Sequence, residues 1–240
     1  MNETKNMLTV VDGETLMDMK LPPTKFCVET LLPQGISILG GAPKIGKSWL
    51  ALWLCLQVAK GESVWGLATH GGTVLYLCLE DNFTRIQNRL FQITDDAPET
   101  LHFATIAAGI GEGLEEQLTN FLTQHPDTSL VVIDTLQRIR TGSDSGNPYA
   151  NDYRDISVLK ALADKHHIAI LLIHHLRKMN DDDPMNMISG TTGISGATDS
   201  NFVLKERRRG SGEATLYCTG RDIEYRELPL VFDKSGYTWR

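Results

Sequence analysis

The sequence predicts an α/β domain: a mostly parallel sheet covered by helices on both faces, with antiparallel strands added at its C-terminal edge. Two observations predict this class. From about residue 30 onward, short and nearly continuous apolar runs alternate with longer segments of helical periodicity. After residue 200, the apolar runs are joined by short polar turns, which is typical of hairpins. The chain has 240 residues, 41% of them hydrophobic, which is enough for one such domain.

The elements follow in order from these patterns. Residues 1–30 are polar and irregular and predict an N-terminal arm or a lead-in strand, so we expect the domain itself to span 31–240. The predicted strands are 35–40, 73–80, 101–106, 129–136, 168–176, 202–206, 213–220 and 228–233. The predicted helices are 48–60 with Gly61 after it, 82–93 with Asp81 as its N-cap, 113–125 and 151–167. In the second helix, one apolar face is predicted from Phe83, Ile86, Leu90 and Ile93.

Charge and hydropathy exclude two classes of protein. The net charge of −7 is opposite to that of a generally basic nucleic-acid binder, so any contact with nucleic acid must come from a local patch. No apolar run approaches the ~18–20 residues that a membrane span needs, and the N-terminus lacks a signal-peptide pattern. We therefore expect no membrane partner and a cytoplasmic location.

A phosphate-binding loop is the strongest motif. The segment GAPKIGKS matches G-x-x-x-x-G-K-[ST] and lies between a predicted strand and a predicted helix. Glycines let backbone N–H groups converge on phosphate oxygens, and the helix adds its positive N-terminal end. Lys47 is expected to contact the β- and γ-phosphates, and the Ser48 hydroxyl to bind Mg²⁺. The expected nucleotide-binding residues are Gly41, Ala42, Pro43, Lys44, Ile45, Gly46, Lys47, Ser48 and Trp49.

Carboxylates at two other strand ends complete the expected ATP site. Asp134 follows four apolar residues, which is the pattern of a Walker B strand, and is predicted to bind Mg²⁺. Many P-loop ATPases place a catalytic Glu directly after this Asp, but Thr135 stands there. Glu80, at the end of another predicted strand, is therefore the expected water-orienting base. The alternative for Glu80 and Asp81 is a pair of helix-capping residues without a catalytic role.

Two adjacent histidines end a further strand. Neighbouring residues on a strand point to opposite faces, so at most one of His174 and His175 is expected to face the phosphates. Such a residue could sense the γ-phosphate. The alternative is a pair of partly buried histidines satisfied by backbone groups.

With these strand ends placed, the chain resembles the RecA-like P-loop ATPases, and most of all the AAA-25 branch, which includes plasmid RepA-type hexameric replicative helicases. The residues that carry the resemblance span about 33–240 and are GGAPKIGKS, VLYLCLED, LVVIDTLQRIR, LLIHHLRK, SGTTGISGATDSNFVL and GRDIEYRELPLVFD. The resemblance implies a RecA-like core and a ring-like homo-oligomer with ATP and Mg²⁺ bound between subunits. It also implies that His175 is the sensor and Arg221 the arginine finger, with Arg226 as second choice. A surface salt bridge of Arg221 with Asp222 or Glu224 is the alternative.

The resemblance further implies that two glycine-rich loops, 140–152 and 177–196, face a central channel and touch single-stranded DNA. Their composition departs from that role, because the second carries three consecutive aspartates, whereas phosphate affinity needs lysines and arginines. The basic candidates are Arg138, Arg140, Arg177, Lys178 and the cluster Arg207, Arg208 and Arg209, which could equally be a solvated turn. Tyr149 and Tyr153 could stack on bases or pack on the core.

Three functions are compatible with the sequence. The leading one is an ATP-hydrolysing, oligomeric, helicase-like motor that acts on single-stranded DNA in replication or maintenance of a mobile element. The second is an ATP-dependent regulatory or assembly module without unwinding activity, which the acidic loops favour. A small-molecule P-loop kinase ranks last, because neither an arginine-rich lid nor an acceptor pocket is evident in the sequence.

Overall fold

A computed structural model of the chain describes residues 8, 10–141, 148–176, 183–188 and 193–240. The first elements in chain order are α1 (Gly13–Asp18), β1 (Phe26–Val28), β2 (Leu32–Pro33), β3 (Gly35–Gly41), α2 (Lys47–Lys60), β4 (Thr73–Cys78), α3 (Phe83–Ile93), β5 (Leu101–Ala104), α4 (Leu114–Gln124) and β6 (Thr128–Asp134). They are followed by α5 (Leu136–Ile139), α6 (Pro148–His166), β7 (Ala169–His175), a 3-10 helix (Pro184–Met187), α7 (Gly193–Ala197), β8 (Ser200–Glu206), β9 (Glu213–Gly220), β10 (Arg226–Asp233) and β11 (Thr238–Trp239).

One nine-stranded sheet organises the domain, in the order β11-β10-β9-β8-β3-β7-β6-β4-β5. The strands from β8 to β5 in this order are parallel to one another, whereas β9, β10 and β11 pair antiparallel. This is the predicted fold class, including the predicted antiparallel strands at the C-terminal edge. The β8–β9 and β9–β10 hairpins form there because the short polar turns between these strands leave no room for a crossover helix.

Two apolar cores cover the two faces of the sheet. Residues of α2 pack on one face with alternate residues of the central strands, and residues of α4, α5 and α6 pack on the other. Each residue of β3 and β4 is buried, which is why these strands read as continuous apolar runs rather than as alternating ones.

The register of the parallel strands brings four strand ends to one edge of the sheet. Gly41 at the end of β3 pairs with His175 of β7, Asp134 of β6 pairs with Ile173 of β7, and Cys78 of β4 pairs with Asp134. Side chains that follow these strands therefore meet at the carboxyl edge, where open α/β sheets bind ligands.

The N-terminal region contains more structure than the sequence predicts. Helix α1 is capped by Asp12, whose side chain accepts from the Thr15 N–H, and β1 pairs with β2 in a separate two-stranded sheet. No residue of α1 is buried. Among the described residues, no helix is both long enough and apolar enough to cross a membrane.

The predicted cap of α3 is wrong, whereas its predicted apolar face is confirmed for Ile86, Leu90 and Ile93, which pack on the core. Asn82, not Asp81, is the N-cap, and its side chain accepts from the Arg85 N–H. The Asp81 carboxylate instead forms ion pairs with Arg85 and Arg89, whose two positive charges favour a full negative charge over a neutral amide. Phe83 is the exception on this face, because 59% of it is exposed, and Ile86 is the one fully buried residue of the helix.

Candidate nucleotide-binding site

The loop between β3 and α2 has the backbone shape that its glycines allow. Gly46 is the N-cap of α2 with φ 99°, a conformation that side chains rarely adopt, and a Cβ there would lie 3.1 Å from the Trp239 Nε1. Lys44 also has a positive φ of 66°. The loop thus turns sharply into the N-terminus of α2, where free N–H groups and the helix dipole favour an anion.

Lys47 lies folded back onto this loop. Its ammonium donates to the carbonyl of Gly41 at 2.8 Å and to that of Ala42 at 3.0 Å, and lies 3.2 Å from His175 Nδ1. Lys47 is only 4% exposed. Burial lowers the pKa of Lys47 from 10.5 to about 8, although Asp134 and Glu80 act in the opposite direction. A phosphate group would offer the ammonium a stronger partner than these neutral acceptors do.

Asp134 ends β6 at the floor of the same site. It is 6% exposed, and burial raises the pKa of its carboxyl, while hydrogen bonds with Ser48 and Tyr76 act to lower it. The Tyr76 hydroxyl donates to Asp134 Oδ2 at 2.9 Å. Ser48 and Asp134, the two residues predicted to bind the metal, both line this cleft, and Ser48 is close enough to lower the pKa of the Asp134 carboxyl.

Glu80 lies beside the predicted aspartate, and Thr135 holds it there. The Thr135 hydroxyl donates to Glu80 Oε1 at 3.0 Å, and His175 Nε2 lies 3.9 Å from Glu80 Oε2. Thr135 thus contacts the carboxylate that is predicted to act in place of the glutamate missing from position 135. Sequence reasoning did not find this contact, because the two residues are 55 positions apart.

The two histidines at the end of β7 point in different directions, as strand geometry predicts. His175 contacts Lys47, whereas His174 is more deeply buried. Burial, followed by the neighbouring His175, lowers the pKa of His174 to about 4, so its ring is neutral at physiological pH. His175 is accordingly the histidine that faces the site.

These side chains surround an open cleft with a volume of about 480 Å³. It is lined by Pro43, Lys44, Ser48, Cys78, Glu80, Asp81, Arg85, Arg89, Asp134 and His175. A cleft of this size is in the range of small-molecule sites. Arg85 and Arg89 were not predicted as part of it; their spacing of four and eight residues from Asp81, which places them on one side of α3, was the available signal.

The oxygen atoms in this cleft fit Mg²⁺ bound together with a phosphate ligand. Asp134 and Ser48 offer a carboxylate and a hydroxyl, the hard oxygen ligands that Mg²⁺ prefers. Within the described ranges, no group of three or more His, Cys, Asp or Glu side chains could hold a metal by itself. Two protein ligands suit this ion, since Mg²⁺ commonly completes its shell with phosphate oxygens and water.

Aromatic residues adjoin the first turn of α2. Trp49 stacks on Tyr237 with ring centroids 4.9 Å apart, and the Arg89 guanidinium lies 5.4 Å from the Trp49 centroid. The indole of Trp239 donates to the Gly46 carbonyl at 3.4 Å. The β10–β11 hairpin therefore buttresses the loop and its following residue from the side.

A sequence model of the AAA domain family, AAA_25, matches residues 2–181 of the chain. This chain is a member of that family. No curated protein matches it by sequence. Its structure is similar to the ATPase domain of G40P, with a TM-score of 0.70 and 14% identity over 86% of this chain and 84% of that one. It is also similar to a DnaB-like replicative helicase solved for its interactions with primase, with a TM-score of 0.69 and 14% identity over 85% of this chain and 57% of that one.

These comparisons confirm the predicted RecA-like P-loop ATPase fold. The candidate cleft lies at the carboxyl edge of the parallel strands, whereas Arg221, which follows β9, lies at the opposite edge of the sheet. Gly220 pairs with Ser200, which is in the row of Ser37, four residues before Gly41 and therefore about 13 Å from the loop.

Arg221 has a different partner from the two considered in the sequence. Its guanidinium pairs with Asp199 at 3.4 Å, rather than with Asp222 or Glu224, and 63% of its side chain is exposed. Asp199 is available because it precedes β8, the neighbour of β9. Arg226 donates to the Thr30 carbonyl at 2.9 Å and is thereby tied to its own chain.

The residues considered for DNA contact fall into two groups, those that form contacts within the chain and those that lie exposed on its surface. Arg138 donates to the Leu79 carbonyl and Arg140 pairs with Asp152 and Asp155, so both serve internal contacts. The exposed rings of Tyr149 and Tyr153 are stacked, with centroids 6.5 Å apart. Arg207, Arg208 and Arg209 lie in the exposed turn between β8 and β9. Arg177 and Lys178 fall outside the described residues.

Proposed function

We propose that this protein is a Mg²⁺-dependent ATPase that acts as an oligomeric, helicase-like motor on single-stranded DNA. The observation that carries the ATPase proposal is the meeting of Lys47, Ser48, Asp134 and Glu80 at one sheet edge, with Thr135 holding Glu80 next to Asp134. These residues come from three separate segments of the chain, and their positions support the roles proposed for them.

In this proposal the protein binds the triphosphate before it does any chemistry. The N–H groups at the start of α2 and the Lys47 ammonium hold the phosphates, and Lys47 exchanges the Gly41 and Ala42 carbonyls for phosphate oxygens. Ser48 and Asp134 would hold Mg²⁺. When bound, this ion neutralises charge on the β- and γ-phosphate oxygens.

Glu80 is proposed to orient the attacking water. Thr135 fixes one carboxylate oxygen, which leaves the other oxygen, on the His175 side, free to accept from water. His175 Nδ1 lies 3.2 Å from the Lys47 ammonium, so a γ-phosphate that binds Lys47 would also reach His175, which is the proposed basis for its role as a sensor.

The position of Arg221 supports assembly into a ring. An arginine at the opposite edge from its own cleft can serve only the cleft of another copy, and such a head-to-tail contact closes into a ring when the rotation permits. A guanidinium donated in this way would spread its charge over the transferring phosphoryl group. We expect a mixture of Arg221→Ala and Lys47→Ala subunits to recover part of the activity that each lacks alone, and an inert mixture would contradict the assignment.

The DNA proposal has a different and weaker basis. It is supported by the fold shared with the replicative-helicase domains and by the exposed stacked tyrosines Tyr149 and Tyr153. The net charge of −7 and the internal pairing of Arg138 and Arg140 favour the second candidate, an ATP-dependent regulatory or assembly module. Either protein would act in the cytoplasm, the motor in replication or maintenance of a mobile element.

One experiment tests both the ATPase proposal and the proposal of a DNA-dependent motor. ATP turnover and particle mass are measured with and without single-stranded DNA at low salt, for the wild type, Glu80→Gln and Lys47→Ala. We expect DNA to raise wild-type turnover. Glu80→Gln should bind ATP without hydrolysing it, and Lys47→Ala should not bind ATP.

The outcomes separate the candidates. Turnover that no single-stranded DNA or RNA changes would refute the motor and leave the regulatory module, whose particle mass should still depend on ATP. Hydrolysis retained by Glu80→Gln would refute the role of Glu80. A wild type that neither binds nor hydrolyses ATP would refute the ATPase proposal itself.

A further inference from the structure

A buried tyrosine contacts the metal-binding aspartate from within the core. Tyr76 lies in the middle of β4 and is 2% exposed. It pairs in register with Val132 of β6, while Cys78 pairs with Asp134, so Tyr76 and Asp134 lie on the same face of adjacent strands, two residues apart in register. Its hydroxyl reaches Asp134 Oδ2 at 2.9 Å.

This contact differs from ordinary core packing. The ring of Tyr76 packs with the apolar side chains beneath α2, and its centroid lies 6.2 Å from that of Phe103. A phenylalanine would fill that space and would not bring a hydroxyl into the core, where a polar group without a partner is costly. Within the part of the chain that the structure describes, the hydroxyl has one hydrogen-bond partner, the Asp134 carboxylate. This carboxylate itself needs donors, because Asp134 is also shielded from water.

The two donors approach Asp134 from different sides of the site. Ser48 comes from the first turn of α2, on the side of the cleft, whereas Tyr76 comes from the interior of the sheet. Because Tyr76 occupies Oδ2, it fixes the rotation of the carboxylate about its Cβ–Cγ bond. The oxygen that Tyr76 does not occupy is therefore held in one orientation before any ligand arrives.

We propose that Tyr76 is a positioning residue for the Mg²⁺ site: its hydroxyl holds Asp134 Oδ2, so that the carboxylate enters the metal shell without first being ordered. The inference rests on the proposed function, because it assigns Asp134 to Mg²⁺. Groups that orient a metal ligand in this way usually contribute 10–100-fold to metal affinity or activity.

The test uses Tyr76→Phe, which removes one oxygen and keeps the ring. Tyr217→Phe is the matched control, since it removes the hydroxyl of a half-buried tyrosine of β9, which is in the same sheet but does not line the cleft. Mn²⁺ replaces Mg²⁺ as a paramagnetic probe, and its binding to the protein with a non-hydrolysable ATP analogue is followed by electron paramagnetic resonance. Binding of the same analogue in EDTA and thermal unfolding in EDTA are measured in parallel.

We expect Tyr76→Phe to weaken Mn²⁺ binding by about tenfold or more. Binding of the analogue in EDTA should change less than about twofold, because Lys47 and the loop are unaltered. Tyr217→Phe should match the wild type in both. The Mg²⁺ concentration that half-saturates hydrolysis should rise in Tyr76→Phe by the same factor as the Mn²⁺ dissociation constant.

Two results would overturn the inference, and they differ. If the wild type binds Mn²⁺ with the analogue and Tyr76→Phe binds it equally well, Tyr76 has only a packing role, whatever its effect on thermal unfolding. If the wild type binds no Mn²⁺ in the presence of the analogue, the proposed function fails, and the role of Tyr76 fails with it.

Discussion

Nucleotide affinity should fall steeply at alkaline pH, because the ammonium of Lys47 is buried before ATP arrives. The pKa of Lys47 is lowered from 10.5 to about 8, so the free protein loses this charge as the pH rises through 8. Phosphate oxygens around the ammonium favour its charged form, which returns the pKa in the complex to at least its ordinary value. Binding must therefore take up a proton above pH 8, and affinity is full below that pH.

The size of the effect follows from the two pKa values. Between pH 7.5 and 9.5, the charged fraction of Lys47 in the free protein decreases about 25-fold for a pKa of about 8, which corresponds to about 1.9 kcal/mol of binding free energy. Phosphate groups have their second pKa near about 6, so ATP itself titrates little in this range. Burial raises the pKa of Cys78 and of Tyr76, so these cleft neighbours keep their protons.

The assay is the fluorescence anisotropy of a labelled ATP analogue in EDTA, which keeps metal binding out of the measurement. We expect the dissociation constant of the wild type to rise about 25-fold from pH 7.5 to 9.5. Lys47→Arg should bind more weakly with a nearly flat profile, because a guanidinium keeps its charge throughout this range. A wild-type constant that changes less than about threefold, or an equal slope in Lys47→Arg, would refute the reasoning.

Two further predictions concern groups that hold the site and the sheet. Thr135→Val should lower kcat about tenfold or more with ATP binding unchanged, because the Glu80 carboxylate loses a hydrogen bond worth about 1.5–3 kcal/mol. Thr135→Ser keeps the hydroxyl and should keep most of kcat. Equal turnover in Thr135→Val and the wild type would contradict this role. The buried Asp199 carboxylate accepts from the Ile36 N–H and pairs with Lys160. Asp199→Asn should therefore lower the unfolding free energy by about 3 kcal/mol, which corresponds to a fall in Tm of about 6–12 °C. In calorimetry, Asp164→Asn, which alters an exposed partner of the same lysine, is the control, and an equal Tm for both variants would count against the argument.

The sequence predicted the parts of the site that lie at the ends of strands. An apolar run of strand length followed by a polar residue is a local pattern, and parallel strands place such residues at one edge. Asp134, Glu80 and His175 were found in this way, and the structure brings all three to the phosphate loop. Their catalytic roles are still predictions.

The contacts between those strand ends could not be predicted. Tyr76 lies within an apolar run, so its sequence context predicts a core residue and no contact for its hydroxyl. Thr135 stands where many P-loop ATPases have a catalytic glutamate, and its local sequence indicates no contact with Glu80. The contact that each residue makes depends on which strands are neighbours in the sheet. Strands β4 and β6 are neighbours, although α3, β5 and α4 lie between them in the sequence. Arg221 is a similar case, because its partner Asp199 is placed by the β8–β9 pairing rather than by local sequence.

The choice between Asp81 and Asn82 as the cap of α3 shows a limit of local reasoning. Both side chains can accept from the N–H groups of a first turn, so adjacent Asp and Asn residues are nearly equivalent in propensity. The ion pairs of Asp81 with Arg85 and Arg89 decide the matter, and they also fix two arginines along one wall of the cleft.

The bond from the Trp239 indole to the Gly46 carbonyl joins positions 193 residues apart, so the phosphate loop acquires its full support only when β11 has docked. Loop closure over that distance is among the slowest kinds of contact to form. A ligand that binds only the finished loop stabilises the docked state by mass action. A nucleotide that binds this loop as proposed should therefore stabilise the β10–β11 hairpin through the Trp239–Gly46 bond, although β11 contributes no residue to the cleft itself.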